Sequence, residues 1–124
     1  MAVLSVNEEQ VILHFSASGS VNVTGNNTVS NLTSNSVEIV LDSSIYQIWY
    51  GSDQGAAVAG SWQIVTGNST ANSVLAVFSG TGHAQFGQMG GVVDLLDSGE
   101  LLYATLVGTS NGHLMIDLRK NSSF

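Results

Sequence analysis

The chain has 124 residues, nine carboxylates and two cations, Arg119 and Lys120, for a formal net charge of −7. With no Lys or Arg before position 119, there is no basic patch to neutralise phosphates or an anionic lipid surface, so nucleic acid and membrane partners are excluded. The absence of Cys excludes a disulfide framework and thiolate chemistry, and no stretch nears the ~18 apolar residues of a membrane-spanning helix.

Gly, Asn and Ser punctuate the sequence at the roughly 8–12-residue spacing of a β-sandwich or barrel. The first ten residues (1–10) read as an N-terminal arm or as a first strand. Val3 and Val6, with Ala2 and Leu4, could add a strand to a neighbour's open edge. Strands are expected at 10–15 and 20–24, followed by a polar stretch over 22–36 that reads as a long loop or an edge hairpin. Further strands are expected at 37–41, 45–50, 58–66 and 73–79. The run Val74-Leu75-Ala76-Val77-Phe78 is apolar on both faces. It suits a central strand, or one with its second face in a subunit contact. Residues 92–97 allow at most one helical turn between glycines. Strands at 101–107 and 113–119 follow, joined through Asn111-Gly112, a hairpin signal. In the last strand Leu114, Ile116 and Leu118 point one way, and His113, Met115, Asp117 and Arg119 the other. The fold class is therefore all-β, a single antiparallel β-sandwich or jelly-roll-like domain over 11–124, with under ~10% helix.

Hydrophobic residues make up 44% of the chain and charged residues only 9%, against ~25% in ordinary soluble domains. Such a chain has a core, a surface of Ser, Thr, Asn and Gly, and apolar surface for partners or other copies to cover. Residues 1–6 lack the basic and apolar regions of a signal peptide, so no export signal is expected. On that expectation the Asn-x-Ser/Thr sequons at Asn22, Asn26, Asn31, Asn68 and Asn121 read as chance occurrences.

Chemical motifs are weak. His14, His83 and His113 lie on separate elements without metal-ligand spacing and read as surface imidazoles. Gly80-Thr81-Gly82 lacks the third glycine and the helix of a phosphate cradle. The acidic run of Asp94, Asp97 and Glu100 lacks a Ca²⁺-loop ligand order and reads as a solvated turn. No nucleophile elbow occurs, so no catalytic residue, metal or cofactor is expected and the protein is read as a non-enzyme. Tyr46, Trp49, Tyr50 and Trp62 admit two readings: stacking on sugar rings, or packing in a core or interface.

One series of segments carries a resemblance. Trp62-Gln63-Ile64-Val65 leads to Ser73–Ser79 and Gly80-Thr81-Gly82-His83. Then come Phe86-Gly87, Leu101-Leu102-Tyr103-Ala104-Thr105-Leu106-Val107-Gly108, and a closing run from Asn111-Gly112-His113 to Arg119-Lys120. This series, over about residues 62–120, resembles small virion proteins of tailed bacteriophages. The resemblance implies a capsid decoration or cement protein: all-β, homotrimeric, without enzymatic activity, made in the bacterial cytoplasm and bound to the major capsid protein on the outer surface of the virion. The candidate capsid contacts are Met1, Ala2, Val3, Leu4 and Val6, with Arg119 and Lys120 free to meet acidic groups on the shell. Two alternatives stay open at this point: a tail- or fibre-associated adsorption module, and a carbohydrate-binding β-sandwich using Tyr46, Trp49, Tyr50 and Trp62.

Overall fold

The computed structural model of the protein describes residues 1–54, 59–67, 72–86, 94–95 and 101–124. Among these residues there is no helix and the chain forms ten strands. They are β1 (Ala2–Val6), β2 (Gln10–Phe15), β3 (Gly19–Asn22), β4 (Ile39–Ser52), β5 (Ser61–Gly67), β6 (Asn72–Ser79), β7 (Thr81–Gln85), β8 (Asp94–Leu95), β9 (Leu101–Val107) and β10 (Gly112–Ser123). One sheet runs β1-β2-β10-β4-β7, with the two-residue β8 also on β4, and the other runs β3-β9-β5-β6. Every pairing is antiparallel, and the two sheets pack as a β-sandwich.

Period-two alternation places the core between the sheets. Val11, Leu13 and Phe15 of β2, Ile45 and Ile48 of β4, and Leu114, Ile116 and Leu118 of β10 face inward from the larger sheet. Trp62, Ile64, Leu102, Ala104 and Val21 meet them from the smaller one. The expected inward row of β10 is therefore the observed one. Strands β2 and β9 begin and end where the sequence places them.

Several expectations are corrected. The expected strands at 37–41 and 45–50 merge into one fourteen-residue strand, β4, which starts at Ile39. The polar residues Asp42, Ser43 and Ser44 do not break it, because β10 supplies backbone partners from Arg119 to Asn121. Asn111-Gly112 is not a hairpin turn. β9 belongs to the smaller sheet and β10 to the larger, so the chain changes sheets there. The same happens between β6 and β7 at Gly80. Gly80 and Gly108, at the two sheet changes, have φ of 76° and 79°, a left-handed conformation in which a side chain is costly. β6 is not central but the last strand of its sheet, with Val74 60% and Val77 54% exposed. β5 starts at Ser61 rather than 58. His83, expected in a turn, lies on a strand, β7.

The stretch 22–36 is a loop, tied down by Gly25 pairing with Val40 and by burial of Val23 and Leu32 in the core. Its Ser30 hydroxyl donates to the Val23 carbonyl at 2.7 Å and accepts from the Leu32 amide at 3.1 Å. Of segment 92–97 only Asp94–Leu95 are described, and they form strand β8 rather than a helical turn; the side chains of the Asp94, Asp97 and Glu100 run and the sequon at Asn68 lie outside the described residues.

Candidate functional site

The N-terminal strand stands apart from the sandwich it joins. β1 pairs with β2 as an antiparallel edge strand, yet all five of its residues are exposed. It is thus a first strand by backbone pairing and an arm by side-chain exposure. Leu4 is 54% exposed, and Met1, Val3 and Val6 are also uncovered. The arm is shorter than residues 1–10. Asn7 closes a turn by accepting the Glu9 and Gln10 amides at 2.8 Å each. The Glu9 carbonyl accepts the Lys120 amide at 2.8 Å, and Gln10 Nε2 donates to Asp117 Oδ1 at 3.0 Å. Only the candidates Met1, Ala2, Val3, Leu4 and Val6, with Ser5, remain free of the body.

A second uncovered apolar strip lies at the far end of the larger sheet. Val37, just before β4, and Ile39 and Leu41 at its start are exposed, as is Phe124, which follows the Ser123↔Ile39 pair.

The four candidate aromatics are not brought together. Trp62 is fully buried, and its Nε1–H donates across the sandwich to the Gly51 carbonyl at 3.0 Å. Tyr50 packs against the core, its ring 4.7 Å from that of Phe78. Trp62 is therefore closed to a sugar, and the four residues do not form one platform. Tyr46 lies under the Arg119 guanidinium, 4.3 Å from its ring centre. Trp49 and Tyr50 border an open depression of about 260 Å³, lined also by Gly51, Thr81, His113 and Met115. One face of the Trp49 indole is covered by the His83 ring, 4.9 Å away and nearly parallel.

The imidazoles are hydrogen-bonded rather than gathered. His14 Nε2 and His113 Nδ1 lie 3.1 Å apart. Their ring centres are 5.3 Å apart, which is that contact plus a ring radius at each end, so the rings meet edge to edge and one nitrogen donates to the other. His83 Nε2 sits 3.1 Å from Gln47 Oε1. Among the described residues no three His, Cys, Asp or Glu side chains are placed to hold a metal ion.

Both cations pair with carboxylates of the chain, Lys120 buried and Arg119 42% exposed. Arg119 Nε reaches Asp117 Oδ1 at 3.3 Å. Lys120 and Glu38 form an ion pair, Nζ to Oε2 at 2.8 Å, with both side chains at 0% exposure. The Ser34 amide and hydroxyl donate to Glu38 Oε1 at 2.7 Å each, Ser122 Oγ donates to Oε2, and Lys120 Nζ also donates to the Leu32 carbonyl at 2.8 Å. Burial pushes the Glu38 carboxyl up, and the bonds from Lys120, Ser122 and Ser34 outweigh it, holding it at about 2. Spacing gave no hint of this pair, 82 residues apart. The signal was parity: Lys120 continues the inward series Leu114, Ile116, Leu118, and a Lys facing a core needs a carboxylate. Comparison with protein-family models, with curated proteins and with solved structures finds no match to this chain.

Proposed function

We propose that the protein is a non-enzymatic structural component of a bacteriophage particle, a decoration protein that binds the outer face of the capsid as a homotrimer. The observation that carries this reading is β1: an ordered strand whose five residues are all exposed and which, with Met1, offers Val3, Leu4 and Val6 to a partner. Covering the exposed halves of four such side chains is worth about 1 kcal/mol each. About 4 kcal/mol corresponds to a roughly millimolar contact, so one arm does not hold a subunit on a shell. Three arms on a repeated lattice do, because the second and third contacts form at high effective concentration. The arm carries no charged side chain, so attachment is only weakly dependent on salt. The resemblance of residues 62–120 to phage virion proteins supports the same reading.

The test adds purified protein, intact or lacking residues 1–6, to capsids stripped of decoration, at low and high salt. Intact protein is expected to bind in both. The truncated form, whose Asn7 turn and Glu9–Lys120 contact remain, is expected to fold and not bind. No binding by intact protein overturns the proposal, and equal binding by the truncated form removes the arm from it.

A second reading is favoured by one observation. The depression beside Trp49 meets a larger one of about 530 Å³ that shares Gly51, Thr81 and His113 and adds Asp53, Ser110 and Asn111. An apolar ring edge beside hydroxyl, amide and carboxylate groups suits a sugar, so an adsorption or carbohydrate-binding module is the alternative. A glycan array decides it: a reproducible ligand lost in Trp49→Ala favours this reading over decoration.

A further inference from the structure

We infer that copies of this chain associate through the outer face of the four-stranded sheet, with β6 at the contact. The inference rests on the assembly reading only for the premise that the chain works as an oligomer.

The strands of this sheet contain no Asp, Glu, Lys, Arg or His. β3 reads GSVN, β5 SWQIVTG, β6 NSVLAVFS and β9 LLYATLV. The larger sheet, by contrast, carries Asp42, Asp117, Arg119, Lys120 and all three histidines. Registers define the outer face of the smaller sheet. Val74, Val65 and Tyr103 lie side by side, as do Val77, Gln63 and Thr105. Val107 lies beside Ser61 and Ser79. The opposite parity, Trp62, Ile64, Leu102 and Ala104, is buried. Three valines on this face, Val74, Val77 and Val107, are exposed.

The occupant follows from charge. The chain is strongly acidic, at −7, so copies repel one another over most approaches. Around a rotation axis the same side chains of each copy converge, and an ionised group there meets its own kind. The charge-free sheet is the face that can sit on such an axis. A foreign basic partner would instead seek the carboxylates, which this face lacks.

Edge design points the same way. Sheet edges are ordinarily blunted by Lys, other charges or Pro. β6 is the terminal strand of its sheet and has none of these. Its register shift opposite Ile64/Val65 is the one irregularity. Four strands about 4.8 Å apart and some seven residues long give a face near 400 Å² in projection, about half the ~800 Å² per partner of a standard interface. Association is therefore weak and concentration-dependent.

Sedimentation velocity on the isolated protein, from about 1 μM to about 1 mM, the range in which weak interfaces titrate, tests this without any capsid. The wild type is expected to shift from monomer to a closed oligomer. Val77→Glu is expected to weaken that association at least about tenfold, since like charges converge. The neutral, similarly shaped Val77→Gln should weaken it far less. Gln85→Glu, on β7 of the other sheet, should leave it unchanged. Circular dichroism confirms that each variant is folded, and a variant that unfolds is replaced by Val74→Glu on the same face. A wild type that stays monomeric throughout overturns the inference. So does a folded Val77→Glu that associates as the wild type does, or a Gln85→Glu that dissociates equally. Capsid binding is scored separately, so failure of the sheet contact and failure of decoration are distinct results.

Discussion

Removing the Glu38 carboxylate while keeping its shape, by Glu38→Gln, should abolish a large acid-dependent part of the stability. In the folded protein Glu38 is held at about 2 against an ordinary 4.5. At about 1.36 kcal/mol per unit, that difference is worth roughly 3 kcal/mol at neutral pH. The folded-state value is the lower one. The contribution is therefore complete above about 4.5 and is lost as pH falls towards about 2. Burial justifies the figure, since both side chains of the pair are at 0% exposure and solvent screens them little. Urea unfolding of wild type and Glu38→Gln, from neutral pH to about pH 2, measures it. At neutral pH the variant should be less stable by about 3 kcal/mol, because Lys120 keeps its charge and loses its anion. The gap should close by about that amount at the acid end. The subtraction removes the other carboxylates, which titrate in both proteins. A gap that stays constant with pH would refute the reasoning, because the stabilisation would then not come from the ionised carboxylate. Lys120→Met should destabilise by about 3–5 kcal/mol, since it strands a buried carboxylate. Adding Glu38→Leu to it should recover part of that loss, as the stranded charge is then gone.

Three further outcomes are expected from the same unfolding assay. Ser43 is buried and, among the described residues, its hydroxyl is the buried side-chain group without a hydrogen-bond partner; Ser43→Ala should raise stability by about 1 kcal/mol, and a clear loss would mean that the hydroxyl has a partner. A Cβ on Gly80 would touch nothing within 4 Å, so Gly80→Ala should cost only the left-handed backbone penalty of about 1–2 kcal/mol, and a cost beyond about 3 would point to a packing role. Trp62→Phe keeps an aromatic ring but removes the donor to the Gly51 carbonyl and some buried volume, so it should cost about 2–3 kcal/mol, and a neutral result would place water on that carbonyl.

Much of the fold was legible because two-residue periodicity reports burial directly. Val11, Leu13 and Phe15 on β2, and Leu114, Ile116 and Leu118 on β10, are buried at the positions that alternation assigns. What alternation does not encode is which sheet a strand joins. Gly108 to Gly112 carries the residues of a chain reversal, and such residues serve a hairpin and a change of sheet equally. The same ambiguity hid β7. Thr81, Gly82 and His83 resemble loop chemistry, while their strand character comes from pairing with Gly51, Tyr50 and Trp49, far away in sequence. Apolar residues on both faces of β6 fitted a central strand, and they fit an exposed edge equally well if something else covers it. A subunit contact is one such cover.

The surfaces offered to partners were less legible than the core, because exposure is a property of the whole fold. Residues 1–6 look alike as an arm and as a strand, and they are both: paired through the backbone, unpaired through the side chains. Arg119 and Lys120, adjacent and nearly terminal, look free, yet alternation turns one inward to Glu38 and lays the other over Tyr46. Lys120 is thereby removed from the surface, and Arg119, 42% exposed, is already paired with Asp117. That leaves the outer surface of the described residues dominated by carboxylates and neutral polar groups, with apolar strips along β1, the start of β4 and β6. A protein with this surface gains little from charge pairing with a partner and loses much to charge repulsion between copies. Specific association then has to come from apolar contact and backbone edges. These three strips are where uncovered valines, leucines and isoleucines coincide with strand, which makes them the places where a second copy or a shell subunit gains most by docking.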